Sequence, residues 1–146
     1  MNATAIGESL HRLLHAYKRA LREGYAAAGI ELTVSEIRVL KSIARAAQCT
    51  AQTIAERMLQ DKARIARLIK SLQSAGLIDR QPHPADSRSQ QLTLTVAGER
   101  LYRRIVDIET EAGQRMGAGL SENELTHFIG LANAMAANLD QREQTP

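Results

Sequence analysis

The chain has 146 residues with a formal net charge of +3; 44% of its residues are hydrophobic, but only 3% are aromatic. This length predicts one domain whose buried core is built mainly from aliphatic side chains. No apolar run approaches the ~18 residues of a transmembrane helix, no secretory leader is recognisable, and the single cysteine excludes an internal disulfide. We therefore expect a cytoplasmic protein that does not act at a membrane.

The charge is distributed unevenly along the chain. Residues 36–104 contain 13 Lys and Arg against 6 Asp and Glu, a net charge of +7. Residues 105–146 contain 2 against 7, a net charge of −5, and residues 1–35 contribute +1. A basic middle segment with an acidic flank indicates a polyanionic partner such as nucleic acid.

The first predicted element is a long amphipathic helix over Thr4–Ala28. Its apolar residues recur at helical spacing, and they are Ile6, Leu10, Leu13, Leu14, Tyr17, Leu21 and Tyr25. A helix of this length exceeds what the small basic segment can cover. We therefore expect it to pack against a second copy of the chain.

Two shorter helices are predicted next. Thr33-Val34-Ser35-Glu36 is a capping box, which predicts that the second helix begins here and ends between Ala46 and Cys49. Its buried positions are Ile37, Leu40, Ile43 and Ala44. Thr50 is expected to cap the third helix, whose inward residues are Ile54, Ala55 and Met58.

A basic helix is predicted over Gln60–Ala75. Ile65, Leu68, Ile69 and Leu72 follow the i, i+3, i+4, i+7 spacing of a buried stripe, and Arg67 lies nearly opposite to it at ~100° per residue. The other residues on or beside the exposed face are Gln60, Lys62, Ala63, Arg64, Lys70 and Ser71. A cationic face suits the major groove, where arginine bonds guanine edges and cations displace counterions from phosphate. The alternative is that the cationic face is simply exposed to solvent and binds no partner.

A β-hairpin is predicted after Gly76, which is placed to end the basic helix. The strands Ile78–Pro82 and Gln91–Thr95 flank a loop that carries Arg88. A helix-turn-helix followed by a hairpin is the winged helix arrangement, with the helix in the major groove and the wing beside the duplex. The predicted fold class is therefore mainly α, a winged helix-turn-helix with a small β-hairpin wing.

Two further helices complete the predicted chain. Thr95 starts a long helix, which Gly117, Gly119 and Leu120 interrupt. The capping box Ser121–Glu124 then opens a final helix. Its predicted inward residues are Leu125, Phe128, Ile129, Ala132, Met135 and Leu139. These helices, together with the first, offer more apolar surface than one winged helix needs, which predicts a helical homodimer. The tail 141–146 is expected to fray.

A pattern of short sequence matches runs in one order through the middle of the chain. It comprises Leu32-Thr33, Arg38-Val39-Leu40, Thr53-Ile54-Ala55, Asp61-Lys62-Ala63, Leu68-Ile69, Leu72, Gly76-Leu77-Ile78, Arg80, Pro84, Asp86-Ser87-Arg88, Leu92, Leu94-Thr95 and Gly98. This pattern resembles the MarR family of bacterial transcription regulators. The resemblance implies one MarR-like domain over residues 1–146, with a DNA-binding lobe at 32–100 and dimerisation helices at 1–31 and 101–146.

The resemblance also implies a function. It predicts a sequence-specific transcriptional regulator, most simply a homodimeric repressor that binds a palindromic double-stranded operator and is released by a small ligand. In the family, the wing's Asp-x-Arg places its arginine in the minor groove, so Asp86 and Arg88 take those roles; Ser87 departs from the frequent arginine. The family's ligand is often an aromatic acid bound between the dimer helices and the DNA-binding lobe. Here His11, His15 and Tyr17 would line such a cleft.

Three alternatives stay open from the sequence. His11 and His15, with Glu8 one turn earlier, could hold a metal ion, although three ligands on one helix rarely close a site. Cys49 could be a redox-sensing thiol, although redox-sensing relatives carry their cysteine near the start of the first helix. A winged helix can also bind an acidic protein. The chain has no phosphate-binding glycine loop, Gly-x-Ser-x-Gly elbow or paired cysteines. We therefore expect that the protein is not an enzyme and that it binds neither a metal ion nor a cofactor.

Overall fold

The computed structural model describes residues 2–86 and 88–141, and the chain divides into two units after Glu109. The elements are α1 (Ala3–Ala27), α2 (Val34–Arg45), α3 (Ala51–Met58), α4 (Lys62–Ser74), β1 (Ile78–Pro82), β2 (Gln90–Leu94), α5 (Val96–Met116) and α6 (Glu122–Asp140). The predicted fold class, mainly α with one hairpin, is confirmed. The single-domain organisation stays a prediction, and the predictions for Ser87 and residues 142–146 lie outside the described residues.

Side-chain caps set several helix starts. The Thr33 N–H donates to Glu36 Oε1 at 3.2 Å, and the Glu36 N–H donates to Thr33 Oγ1 at 3.1 Å. The same reciprocal pair joins Ser121 and Glu124 at the start of α6. Both predicted capping boxes are confirmed, and Thr50 caps α3 as expected.

The helix-turn-helix and the hairpin share one aliphatic core in the first unit. Side chains of α2, α3, α4, β1 and α5 are fully buried in it, namely Val39, Leu40, Ile54, Ile65, Ile69, Leu72, Ile78 and Ile105. The Leu92 N–H of β2 also donates to the Cys49 carbonyl at 2.7 Å, which ties the segment before α3 to the hairpin. The basic helix and the wing are therefore held by the same packing.

The second strand ends one residue earlier than predicted. The Thr95 hydroxyl donates to the Gly76 carbonyl at 2.7 Å and accepts from the Gly98 N–H at 3.1 Å. Thr95 therefore leaves the strand in order to start α5. A Cβ at Gly98 would lie 2.1 Å from the Leu77 carbonyl oxygen, so only glycine permits this close approach of α5 to the hairpin.

Helix α1 packs through its C-terminal half. Tyr25 is buried, and Gly24 leaves room for Ile108 of α5, whose Cγ2 would lie 2.6 Å from an added Cβ. Arg104 of α5 donates to the Ala28 carbonyl at the end of α1. The N-terminal half instead exposes Ile6, Leu10 and Leu14.

The second unit contains the end of α5 and all of α6. Gly119 adopts a φ of +80° in the predicted break between the two helices. No residue of α6 is buried; the large apolar side chains that α6 exposes are Phe128, Ile129, Leu131, Met135 and Leu139. The face of α6 that was predicted to be buried is therefore uncovered in the single chain.

No helix in the described ranges is long and apolar enough to cross a bilayer.

Candidate nucleic-acid interface

The basic helix α4 begins at Lys62 because Asp61 caps it. The Asp61 carboxylate accepts the Arg64 N–H at 2.7 Å and satisfies a free donor of the first turn. Gln60 therefore lies in the turn that precedes the cap. The helix, which was predicted to start at about Gln60, starts two residues later.

One side of α4 is buried and the opposite side is charged. Ile65, Ile69 and Leu72 are fully buried, as the apolar spacing predicted. The exposed side carries a set of residues that we call the basic face, namely Lys62, Ala63, Arg64, Arg67 and Lys70. The basic face presents four cations to solvent and no carboxylate.

The start of α2 fixes one flank of α4. Arg64 Nη2 donates to Ser35 Oγ at 3.3 Å, and the Ser71 hydroxyl donates to Glu36 Oε2 at 3.0 Å. Ser71 thus has a hydrogen-bond partner within the protein, and its contact with DNA stays a prediction. These two bonds lie about two helical turns apart on α4, so they limit its rotation against α2.

Asp86 organises the loop of the wing. Its carboxylate accepts the Arg88 N–H at 3.0 Å and the Ser89 hydroxyl at 3.4 Å. Its carbonyl accepts the Ser89 N–H at 3.1 Å, and the Ser89 carbonyl accepts the His83 N–H at 3.1 Å. Asp86 therefore holds the backbone that carries Arg88.

Among the residues that the structure describes, no carboxylate forms an ion pair with the cations of this surface. Within residues 2–86 and 88–141, the salt bridges join Glu109 to Lys41 at 2.6 Å and to Arg45 at 3.9 Å, away from α4 and the wing. No described carboxylate forms an ion pair with the basic face or with Arg88. Their positive potential is thus available to an external polyanion.

Arg80 is a cation of this surface that the sequence analysis did not include in the site. Its Nε donates to Gln73 Oε1 of α4 at 3.0 Å, and its Nη1 donates to Gln90 Oε1 of β2 at 3.2 Å. The three residues lie on three separate elements. Only the packing of the hairpin against α4 brings them together.

A second polar cluster surrounds Glu109 of α5. Its carboxylate accepts from Lys41 at 2.6 Å and from the Tyr25 hydroxyl at 3.4 Å. Burial and then the Glu109 charge raise the pKa of Tyr25 to about 12. The same two causes raise the pKa of Tyr17, which the nearby Arg45 partly offsets. Tyr17 therefore lies at a charged cluster shared by α1, α2 and α5.

The other predicted sensing residues are placed differently. His11 and His15 are exposed on α1, and the described part of the chain contains no group of three His, Cys, Asp or Glu arranged to hold a metal ion. Cys49 is 2% exposed, and burial raises the pKa of its thiol. A sensing thiol needs a lowered pKa and access to the oxidant, so this environment disfavours the redox alternative.

The helix-turn-helix α3–α4, followed by a hairpin with a cationic tip, defines the winged helix class. A family model described as the MarR family matches residues 30–89. The chain is 26% identical to the transcriptional regulator HosA of Escherichia coli O111:H- over 105 residues, which cover 72% of this chain and 78% of HosA. It is 24% identical to the HTH-type transcriptional repressor IacR of Pseudomonas putida over 111 residues, which cover 76% of this chain and 66% of IacR.

A solved structure shares the fold. Mutant MarR from E. coli, in complex with operator DNA, superposes with a TM-score of 0.75 at 23% identity, covering 90% of this chain and 93% of that chain. The chain is therefore similar to the MarR family in sequence over residues 30–89, and its fold is similar to that of MarR.

Proposed function

We propose that this protein is a cytoplasmic, homodimeric transcriptional repressor that binds a palindromic double-stranded operator and is released by a small ligand. The names of the relatives support this proposal, since HosA is a transcriptional regulator and IacR is a repressor. MarR was solved with operator DNA. The further reasons lie in the residues of this chain.

The observation that carries DNA binding is the cationic surface on α4 and the wing, which forms no ion pair within residues 2–86 and 88–141. Arg67 projects from the middle of the exposed side of α4, where it would bond base edges in the major groove. Lys70 and Arg64 flank it and would meet phosphates. Arg88 at the wing would enter the adjacent minor groove, with Asp86 holding its backbone. If each subunit neutralises ~3 phosphates, log K against log salt has a slope near −5 for a dimer.

Two uncovered apolar faces support the homodimer. Ile6, Leu10 and Leu14 are exposed on α1, and in the second unit Phe128 and Ile129 are 50% and 58% exposed on α6. Apolar faces of this length are rarely left in water, and a second copy supplies matching faces through two-fold symmetry. A two-fold dimer places two recognition helices ~34–36 Å apart on a palindrome.

The cluster around Glu109 supports a ligand site near Tyr17. Lys41 and Arg45 of α2 hold the Glu109 carboxylate of α5, with Tyr25 of α1 as a third partner. A carboxylate on a small aromatic ligand has the same chemistry as Glu109 and would compete for these cations. Such competition would change the packing of α2 against α1 and α5. The ligand site would then centre on Tyr17 rather than on the exposed His11 and His15.

The test is selection of bound duplexes from a random pool, followed by fluorescence anisotropy titrations of the selected duplex at several salt concentrations. We expect a palindromic consensus, at least ~10³-fold preference over a mixed-sequence duplex, and a slope near −5. Aromatic acids are then added to the preformed complex. Equally weak binding to every duplex would contradict the proposal and favour a protein-interaction module.

A further inference from the structure

Arg80 lies on the inner side of the hairpin. In the antiparallel register it pairs with Leu92, and paired residues project to the same side of a two-stranded sheet. Leu92 is buried against the core, whereas Arg80, two residues further along β1 than Ile78, is exposed. Gln90 lies on this side as well, two residues from Leu92. Arg80 is therefore at the outer end of the seam between the wing and α4.

Two neutral amides hold the guanidinium of Arg80 in this seam. The acceptors are Gln73 Oε1 at 3.0 Å and Gln90 Oε1 at 3.2 Å, and they come from opposite sides of the seam. A guanidinium has five N–H donors, so three remain. Within the described parts of the chain, no carboxylate forms an ion pair with Arg80. The amides thus orient the group without neutralising its charge.

The seam has a defined place in a winged helix complex. A helix in the major groove and a wing in the adjacent minor groove are separated by one phosphate backbone strand, because that strand is the boundary between the two grooves. A cation fixed between the helix and the wing therefore faces that strand. A planar guanidinium with free donors matches a phosphate group in both charge and geometry.

We propose that Arg80 binds the phosphate strand between the two grooves, and that Gln73 and Gln90 are positioning residues that aim its guanidinium. The proposal rests on the DNA-binding function proposed above. It adds a third kind of contact to the major-groove and minor-groove contacts. It also explains why both acceptors are amides, since a carboxylate at either position would pair with Arg80 and compete with the phosphate.

The measurement is the salt dependence of binding to the selected duplex. Each neutralised phosphate contributes ~0.9 to the slope of log K against log salt concentration. Arg80→Ala should therefore lower the magnitude of this slope by ~1.8 in a dimer. The loss of affinity between 50 and 200 mM salt then becomes ~12-fold smaller than in the wild type. Sequence preference should be unchanged, because phosphate contacts carry no base information. Arg80→Lys keeps the charge and should keep the slope.

The positioning residues are tested by adding a carboxylate. Gln73→Glu and Gln90→Glu each place an anion next to Arg80 and should lower the slope nearly as much as Arg80→Ala. Gln81→Glu is the matched control, because it adds the same charge on the neighbouring residue of β1, whose side chain projects to the outer side of the hairpin. Its slope should stay close to that of the wild type.

The outcomes separate the two proposals. A wild-type protein without salt-dependent duplex binding would overturn the proposed function and this inference together. A wild type that binds as expected, with an unchanged slope for Arg80→Ala, would overturn the inference alone. Equal slope reductions in all three glutamate variants would also overturn it, since a general charge effect would then suffice. If Arg80→Ala does not fold, the Gln73→Glu variant and its Gln81→Glu control decide.

Discussion

Replacement of Asp86 gives the sharpest test of how the wing works, because two physical effects predict opposite changes in DNA affinity. Asp86 is an anion next to the proposed DNA surface, so Asp86→Ala removes a repulsion and would tighten binding if only charge mattered. Its carboxylate also accepts from the Arg88 N–H and the Ser89 hydroxyl. Without these bonds the loop loses its fixed geometry. We expect the loss of geometry to dominate, so that Asp86→Ala weakens DNA binding.

The magnitude follows from the two hydrogen bonds. A solvent-exposed hydrogen bond to a carboxylate stabilises its conformation by ~1 kcal/mol, and the Ser89 bond at 3.4 Å adds little. A cost of ~1 kcal/mol per wing corresponds to a ~5-fold weaker affinity. The two wings of a dimer are far apart and their costs add, which gives ~25-fold.

Asp86→Asn is the matched variant, measured by the same anisotropy titration. Its side-chain oxygen still accepts the Arg88 N–H, while the charge is gone, so we expect affinity equal to the wild type or tighter. Both variants keep Arg88 and should keep the salt slope. Tighter binding by Asp86→Ala would refute the positioning role, and equal weakening of both variants would mean that the charge itself is required.

Three further outcomes are expected. Arg67→Ala should cost ~1–3 kcal/mol of binding free energy and relax the base preference at one position per half-site. The measurement is the affinity for a panel of duplexes with single base substitutions. If the variant keeps the base preferences of the wild type, Arg67 does not contact a base. Phe128→Asp should shift the protein from dimer to monomer in sedimentation, whereas Ala134→Asp, which lies ~120° from Phe128 and ~140° from Ile129 around α6, should not. Because burial raises the pKa of Cys49, a disulfide reagent at about pH 8.5 should label the unfolded protein readily but the native protein only slowly. Fast native labelling would reopen the redox alternative.

Sequence reasoning located most helix starts because caps are local. Thr33 and Ser121 are each followed by glutamate at the third position, and this spacing alone predicts the reciprocal bonds found in the structure. Asp61 caps α4 without a glutamate at the third following position, so this cap was not predicted and the predicted helix included Gln60.

The side-chain partners between elements could not be predicted in this way. The apolar spacing of α4 identifies its buried stripe but not which helix lies on each flank. Ser71 is exposed on the basic helix, as the spacing predicts, but the spacing does not show that α2 places Glu36 beside it as a hydrogen-bond partner. Arg80 was visible as part of a family pattern, but its acceptors lie seven and ten residues away on other elements. Their convergence depends on the packing of the hairpin.

Helix α2 is the element through which a ligand at Tyr17 would reach the DNA surface. Its C-terminal half carries Lys41, which is bonded to Glu109, and its N-terminus bonds α4 through Ser35 and Glu36. A helix of 12 residues is ~18 Å long and moves nearly as a rigid rod. A ligand that displaced Glu109 would therefore shift both ends of α2 together. The bonds to α4 would carry that shift to the basic face, so the proposed ligand response would need no flexible linker between the two sites.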